Sequence, residues 1–204
     1  MPGMIMKERK IFNIGFHKTG TTSLTRFMRE HGFRSLHSVS YSMQSLGLGL
    51  QGEGVEGDGE SEDIDSLVDE VLLDKLVGKF DYFSDNPWPL LYRRLDQRYP
   101  DSLFILTRRK VDRWINSLLK YSGSENTRMR QIIYGYGNPH HHVSRYRKVY
   151  LSHNRAVVQY FSGRDNFVAI DLESDNAVIA QKLQDFLGVE SASPVFPVLN
   201  KGRN

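Results

Sequence analysis

The chain has no cysteine among its 204 residues. That excludes disulfides and thiolate metal sites, makes a reducing compartment sufficient, and sets the expectation of a cytoplasmic protein. No apolar run reaches membrane-spanning length, and Met1 to Arg9 lacks the hydrophobic core of a signal peptide. Charge of either sign is in short excess. The net value is +3, with the positives local rather than striped, which suits a small anionic ligand better than a nucleic acid. No internal repeat appears. A chain of this length fits one domain, residues 1–204, that can bury a real core.

What is present alternates strand with helix. Lys10–Ile14, Phe33–Ser38, Phe80–Phe83, Ser102–Thr107 and Asn166–Asp171 read as five strands. Helical spacing fills the gaps: Leu24 to His31, Ile64 to Leu76, a helix started by Pro87 with Asn86 as cap, Val111 to Leu119, Val143 to Phe161, and Ile179 to Leu187 ended by Gly188. This order predicts an α/β fold of three layers, a parallel sheet of about five strands with helices on both faces. Ligands in such sheets bind at the carboxyl ends of strands. Lys18–Thr22, Ser84–Asn86, Thr107–Arg109 and Asp171 fall there.

Two stretches read as irregular. Ser40–Asp63 carries Gly47, Gly49, Gly52, Gly54, Gly57 and Gly59 among acids, a composition that buries little. It is a mobile surface loop or a lid over a pocket. Ser122–His142 is a mobile basic loop with the run His140-His141-His142. Consecutive residues do not face one another on a regular element and no carboxylate stands nearby, so no metal site is expected.

The chain is organised around Gly15-Phe16-His17-Lys18-Thr19-Gly20-Thr21-Thr22-Ser23-Leu24. A strand, a loop with glycine, lysine and hydroxyls, and then a helix make a phosphate cradle of backbone N–H groups and helix dipole. Gly15 and Gly20 have the Walker A separation, but Thr21-Thr22 stand where Lys-Ser/Thr would follow, and the lysine lies inside the loop. A Mg-nucleotide site is therefore disfavoured, leaving a P-loop small-molecule kinase as one alternative and a non-catalytic nucleotide-binding module as another. After the central strand, Arg108-Arg109 must face solvent or an anion.

Together these residues resemble the sulfotransferases that use 3′-phosphoadenosine-5′-phosphosulfate (PAPS), in particular the short bacterial-type members. Lys18-Thr19-Gly20-Thr21-Thr22 matches the family's Lys-x-Gly-Thr-Thr loop, and Arg109 with Ser117 matches its arginine and serine eight apart, with Trp114 between them. The stretches from Pro87 to Thr107 and from Phe196 to Asn200 add to the likeness. The resemblance implies a P-loop-like fold and transfer of a sulfuryl group from PAPS to a hydroxyl or amine of a small acceptor, without metal and with 3′,5′-bisphosphoadenosine as product. It implies that Lys18 and the loop Thr19, Gly20, Thr21, Thr22 and Ser23 hold the 5′-phosphosulfate. Arg109, or Arg108, with Ser117 takes the 3′-phosphate, and Lys201-Gly202 of the tail echoes a further 3′-phosphate element. The chain departs from the family in having Arg109-Lys110-Val111 where Arg-Asp-Pro or Arg-Asn-Pro is usual. The acceptor needs a base, and Asp85 or His17 is placed to supply it.

Overall fold

The computed structural model describes residues 9–49, 59–123, 125–190, 195–197 and 199. Five strands form one sheet: β1 Ile11–Asn13, β2 Ser35–His37, β3 Tyr82–Ser84, β4 Leu103–Arg108 and β5 Phe167–Asp171. The order is β2-β3-β1-β4-β5, and every pairing is parallel. This is the α/β architecture that the alternation predicts.

The strand period of two explains the layers. Phe12, Phe83 and Phe104 point to one face, where they stack at 4.9 and 5.7 Å and meet Trp88 and Phe161. Ile11, Tyr82, Leu103 and Ile105 point to the other, against Leu24 and Phe27 of helix α1 (Thr21–Glu30) and Ile179 and Leu183 of α9 (Asn176–Leu187). The first face is covered by α2 (Val39–Ser45), α4 (Glu70–Val77), α5 (Tyr92–Arg98), α6 (Val111–Ser122), α7 (Arg128–Tyr134) and α8 (Val143–Tyr160). Each fully buried aromatic contributes about 1.5–3 kcal/mol of transfer free energy.

Some predicted elements differ. The pattern from Ile64 to Leu76 is two helices, α3 (Ile64–Leu67) and α4, because the Asp69 carboxylate accepts from Leu72 N at 2.9 Å and starts a new helix. Asn86 caps no helix: Trp88–Leu90 is a 3-10 turn, and α5 starts only at Tyr92. Both stretches read as irregular contain helix. Ser38 caps α2, which runs into the first, and Thr127 caps α7 inside the second, each hydroxyl accepting a backbone N–H of the first turn. Gly52, Gly54 and Gly57 lie outside the described residues. No helix among the described residues is long and apolar enough to cross a membrane.

Candidate active site

The loop after β1 is fixed by its neighbours before any ligand arrives. Asn13, fully buried, accepts from Gly15 N at 3.2 Å and Thr107 Oγ1 at 3.1 Å, and donates to Ser84 Oγ at 3.1 Å. One amide thus ties together the ends of β1, β3 and β4. Gly15 passes so close to β4 that a Cβ there would stand 2.2 Å from the Thr107 carbonyl oxygen. His153 of α8 lies against Phe16 at 4.2 Å between ring centroids, and its Nε2 donates to the Ile14 carbonyl at 2.8 Å. Trp114 of α6 donates to the His17 carbonyl at 3.0 Å.

Among the described residues, Lys18 (φ 64°) and Asp85 (φ 72°) are the non-glycine residues in the left-handed region. Such backbone costs about 1–3 kcal/mol and persists where the surroundings over-determine it, which is characteristic of functional loops. Asp85 follows β3, and its Oδ1 accepts from Asn86 N at 2.9 Å.

These turns open into a cavity of about 990 Å³, near the top of the roughly 300–1,000 Å³ usual for small-molecule sites. The cradle residues Lys18, Gly20, Thr21, Thr22 and Ser23 line it. Five helices, α2, α3, α4, α7 and α9, start with a Ser, Asp or Thr side chain accepting a first-turn N–H. Helix α1, like α5, α6 and α8, has no side-chain cap, but it starts at Gly20 with its first turn, Thr21 to Ser23, lining the cavity, where such donors suit an anion. Thr19 is the exception in the loop. It is fully buried, donates to the Phe16 carbonyl at 2.5 Å and contacts Thr107 Oγ1 at 2.8 Å, and so braces the loop instead of facing the cavity. Ser23 Oγ accepts from Leu199 N at 3.1 Å, which brings the tail to the cavity rim, where Phe196, Pro197 and Leu199 line it. Lys201 and Gly202 lie outside the described residues.

The two arginines after β4 part company. Arg108 makes a two-pronged pair with Asp171 of β5, Nε to Oδ1 at 2.5 Å and Nη2 to Oδ2 at 2.9 Å, and does not line the cavity. Arg109 lines it, its Nε 3.7 Å from Glu173 Oε1. Arg113 and Ser117, on successive turns of α6, line the same wall.

Burial draws the Lys18 pKa down, Asp85 partly restores it and Arg109 lowers it further. The ammonium rests 3.8 Å from the centre of the Tyr121 ring. His17 is pushed down to about 4, mainly by burial, with Asp85 opposing. Both its ring nitrogens are engaged, Nδ1 with Asn86 Nδ2 at 2.9 Å and Nε2 with the Tyr134 hydroxyl at 3.3 Å.

Sequence reasoning missed His37. It is the last residue of β2, in register with Ser84, and it lines the cavity beside Asp85. Its Nε2 stands 3.4 Å from Thr22 Oγ1, while Nδ1 is buried without a hydrogen-bond partner. Arg113 was also missed; its four-residue spacing from both Arg109 and Ser117 was the available signal. Among the described residues no group of three histidines or carboxylates converges as metal ligands would.

Comparison with known proteins identifies the family and the fold. A family model described as "Sulfotransferase domain" matches residues 10–146. A curated relative, Ava biosynthesis cluster protein M of Aspergillus versicolor, is 25% identical over 116 residues, 53% of this chain and 41% of its own. The chain thus spans about two-fifths of that relative's length. Among solved structures, a sulfotransferase from Alicyclobacillus acidocaldarius aligns over 93% of this chain and 84% of its own, with a TM-score of 0.58 and 19% identity. That likeness is one of fold.

Proposed function

The chain belongs to the sulfotransferase family, and from that premise we propose that it transfers the sulfuryl group of PAPS to a hydroxyl or amine of a small acceptor. The observation that carries this reading is one cavity lined by both anion-binding sets, the Lys18 loop and the Arg109–Ser117 wall. A ligand with two phosphate groups well separated fits such a pair. The uncapped start of α1 at the cavity wall supports the first set, since no side chain among the described residues caps its first turn.

PAPS supplies an electrophilic sulfuryl group on a phosphate leaving group, and the remaining work falls to residues of this chain. Lys18 and the first-turn amides of α1, with Thr21 and Thr22, neutralise charge gathering on the leaving phosphate, preorganised donors of the kind that carry much of catalysis. The left-handed backbone at Lys18 aims its side chain into the cavity at a fixed angle. Arg109 and Ser117 hold the distal phosphate. Arg108, committed to Asp171, takes no part. Asp85 supplies negative charge on the acceptor side. His17, neutral at physiological pH and engaged at both nitrogens, orients Asn86 and Tyr134.

The experiment is thermal stabilisation by 3′,5′-bisphosphoadenosine without magnesium. Ligand well above its Kd raises stability by about 2.7 kcal/mol at a hundredfold excess. An unmoved melting temperature at millimolar nucleotide sinks the reading.

A further inference from the structure

The sheet order divides the cavity. The end of β4 and the helix α6 that follows it bring Arg109, Arg113 and Ser117 to one side of the Lys18 loop; the ends of β2 and β3 bring His37, Asp85 and Asn86 to the other. From this division we propose that the β2–β3 side is the acceptor subsite, that it takes an alcohol bearing no anionic group, uncharged or cationic, and that His37 is the base that receives the hydroxyl proton. This rests on the sulfotransferase reading and adds the acceptor class and the base to it.

Charge commitment argues the class. Two further arginines that line the cavity are already spent. Arg128 pairs with both carboxylate oxygens of Glu62, and Arg130 donates to the carbonyls of Glu125, Gly137 and Ser122 at 3.1, 3.0 and 3.4 Å. The Asp85 carboxylate lines this side in no ion pair among the described residues, and the cation that feels it is Lys18, which faces the leaving phosphate. An anionic acceptor would meet the like charge of Asp85 there while the nearby cations are committed to the donor or to protein partners, whereas a hydroxyl or ammonium meets an acceptor.

Availability argues the base. His17 is held at both nitrogens, by Asn86 and Tyr134, whereas His37 has a single long contact, Nε2 at 3.4 Å from Thr22 Oγ1, and Nδ1 has no partner. A buried polar atom without a partner is uncommon and asks for an explanation. Burial keeps the His37 pKa below the usual histidine value, and Arg29 of α1 lowers it while Asp85 raises it, so the ring is neutral and able to accept a proton at neutral pH. In the step, the acceptor oxygen bonds to sulfur as the sulfur–oxygen bond to the nucleotide phosphate breaks. The electron pair leaves with the phosphate, and the hydroxyl proton passes to His37 Nε2, where Asp85 stabilises the imidazolium until solvent takes the proton.

The test follows release of 3′,5′-bisphosphoadenosine from PAPS by the wild-type protein, His37→Gln and His37→Ala. Matched alcohols serve as acceptors: cationic (ethanolamine, glucosamine), uncharged (ethylene glycol, N-acetylglucosamine) and anionic (glycolate, glucuronate). The expected result is turnover of cationic and uncharged members and not of anionic ones. The His37 variants should lose about 10²-fold or more in kcat and the acid limb of the pH profile while binding bisphosphoadenosine as the wild type does. Added imidazole should restore part of the rate to His37→Ala, which a merely structural role would not allow. Preference for anionic members, no turnover of any cationic or uncharged one, or His37 variants with wild-type kcat and pH profile each overturn the proposal. Failure of the wild type to bind bisphosphoadenosine would instead overturn the sulfotransferase reading.

Discussion

The two sides of the cavity are built on opposite rules. On the β1–β4 side, the loop is held by buried hydrogen bonds, a glycine too close to β4 for a side chain and a lysine in left-handed backbone. Its ligand-facing groups are Lys18, Arg109 beside Glu173, and the first turn of α1, which no side chain among the described residues caps. On the β2–β3 side, the ligand-facing groups are the His37 imidazole and the Asp85 carboxylate, and Arg128 and Arg130 of the cavity wall are turned to protein partners. Binding a highly charged leaving group requires positive charge fixed in advance, because reorganising donors during the reaction costs rate. Moving a proton requires the reverse, a group left neutral and without a partner.

Four measurements press on this contrast. The largest effect is expected at Lys18. Lys18→Ala should lower transfer about 10²–10³-fold, measured as bisphosphoadenosine release. Lys18→Gly should be as inactive yet more stable than Lys18→Ala by about 1 kcal/mol in denaturant unfolding, because glycine relieves the left-handed backbone. Equal stability of the two variants would show that the loop is not strained there. Next come the paired arginines. Arg109→Ala should weaken bisphosphoadenosine by about tenfold to a hundredfold, the worth of charge-assisted hydrogen bonds at 1.5–3 kcal/mol, with Arg108→Ala near wild type; titration calorimetry that reversed the two would reassign the wall.

Gly15→Ala sets rigidity against function. Its Cβ would meet the Thr107 carbonyl, so overpacking of about 1–3 kcal/mol is expected, read as a lower melting temperature; an unchanged one would mean the loop yields. The last measurement is of the pH dependence of stability. His17 and His153 are both pushed down to about 4 by burial. The unfolded chain, with histidines near their ordinary value of 6.5, binds protons that the folded one refuses. Stability should therefore be fully present above about pH 6.5 and fall as pH drops toward 4. His153→Gln should flatten that slope in melting curves taken across the range, and an identical slope would remove His153 from the account.

The β1 side was legible in the sequence because its signals are local. Glycine, lysine and threonines at one strand–helix junction specify backbone geometry within ten residues, and only Thr19 turned out to face inward. Arg108 and Arg109 could not be told apart, since their fates depend on which side chain reaches Asp171, 63 residues away. The β2–β3 side was nearly illegible. His37 ends a three-residue strand with no motif, and its importance comes from β2 pairing with β3 across the chain. Asn86 looked like a helix cap because Asn-Pro before an apolar run usually is one, but its amide is engaged with His17. The fold itself was clearer, since continuous apolar strands between amphipathic helices admit few arrangements; the missed break at Asp69 was a cap hidden inside an apolar periodicity.

Asn13 has a consequence for how such a protein can change over time. Its single side-chain amide touches the β1 loop, the strand that precedes Asp85 and the strand that precedes Arg109. It is a common datum from which donor and acceptor positions are both measured. The loops farther out can lengthen, shorten or change composition to suit new acceptors without altering the spacing between the two reacting oxygens. Substrate range can then drift while the reaction stays in register.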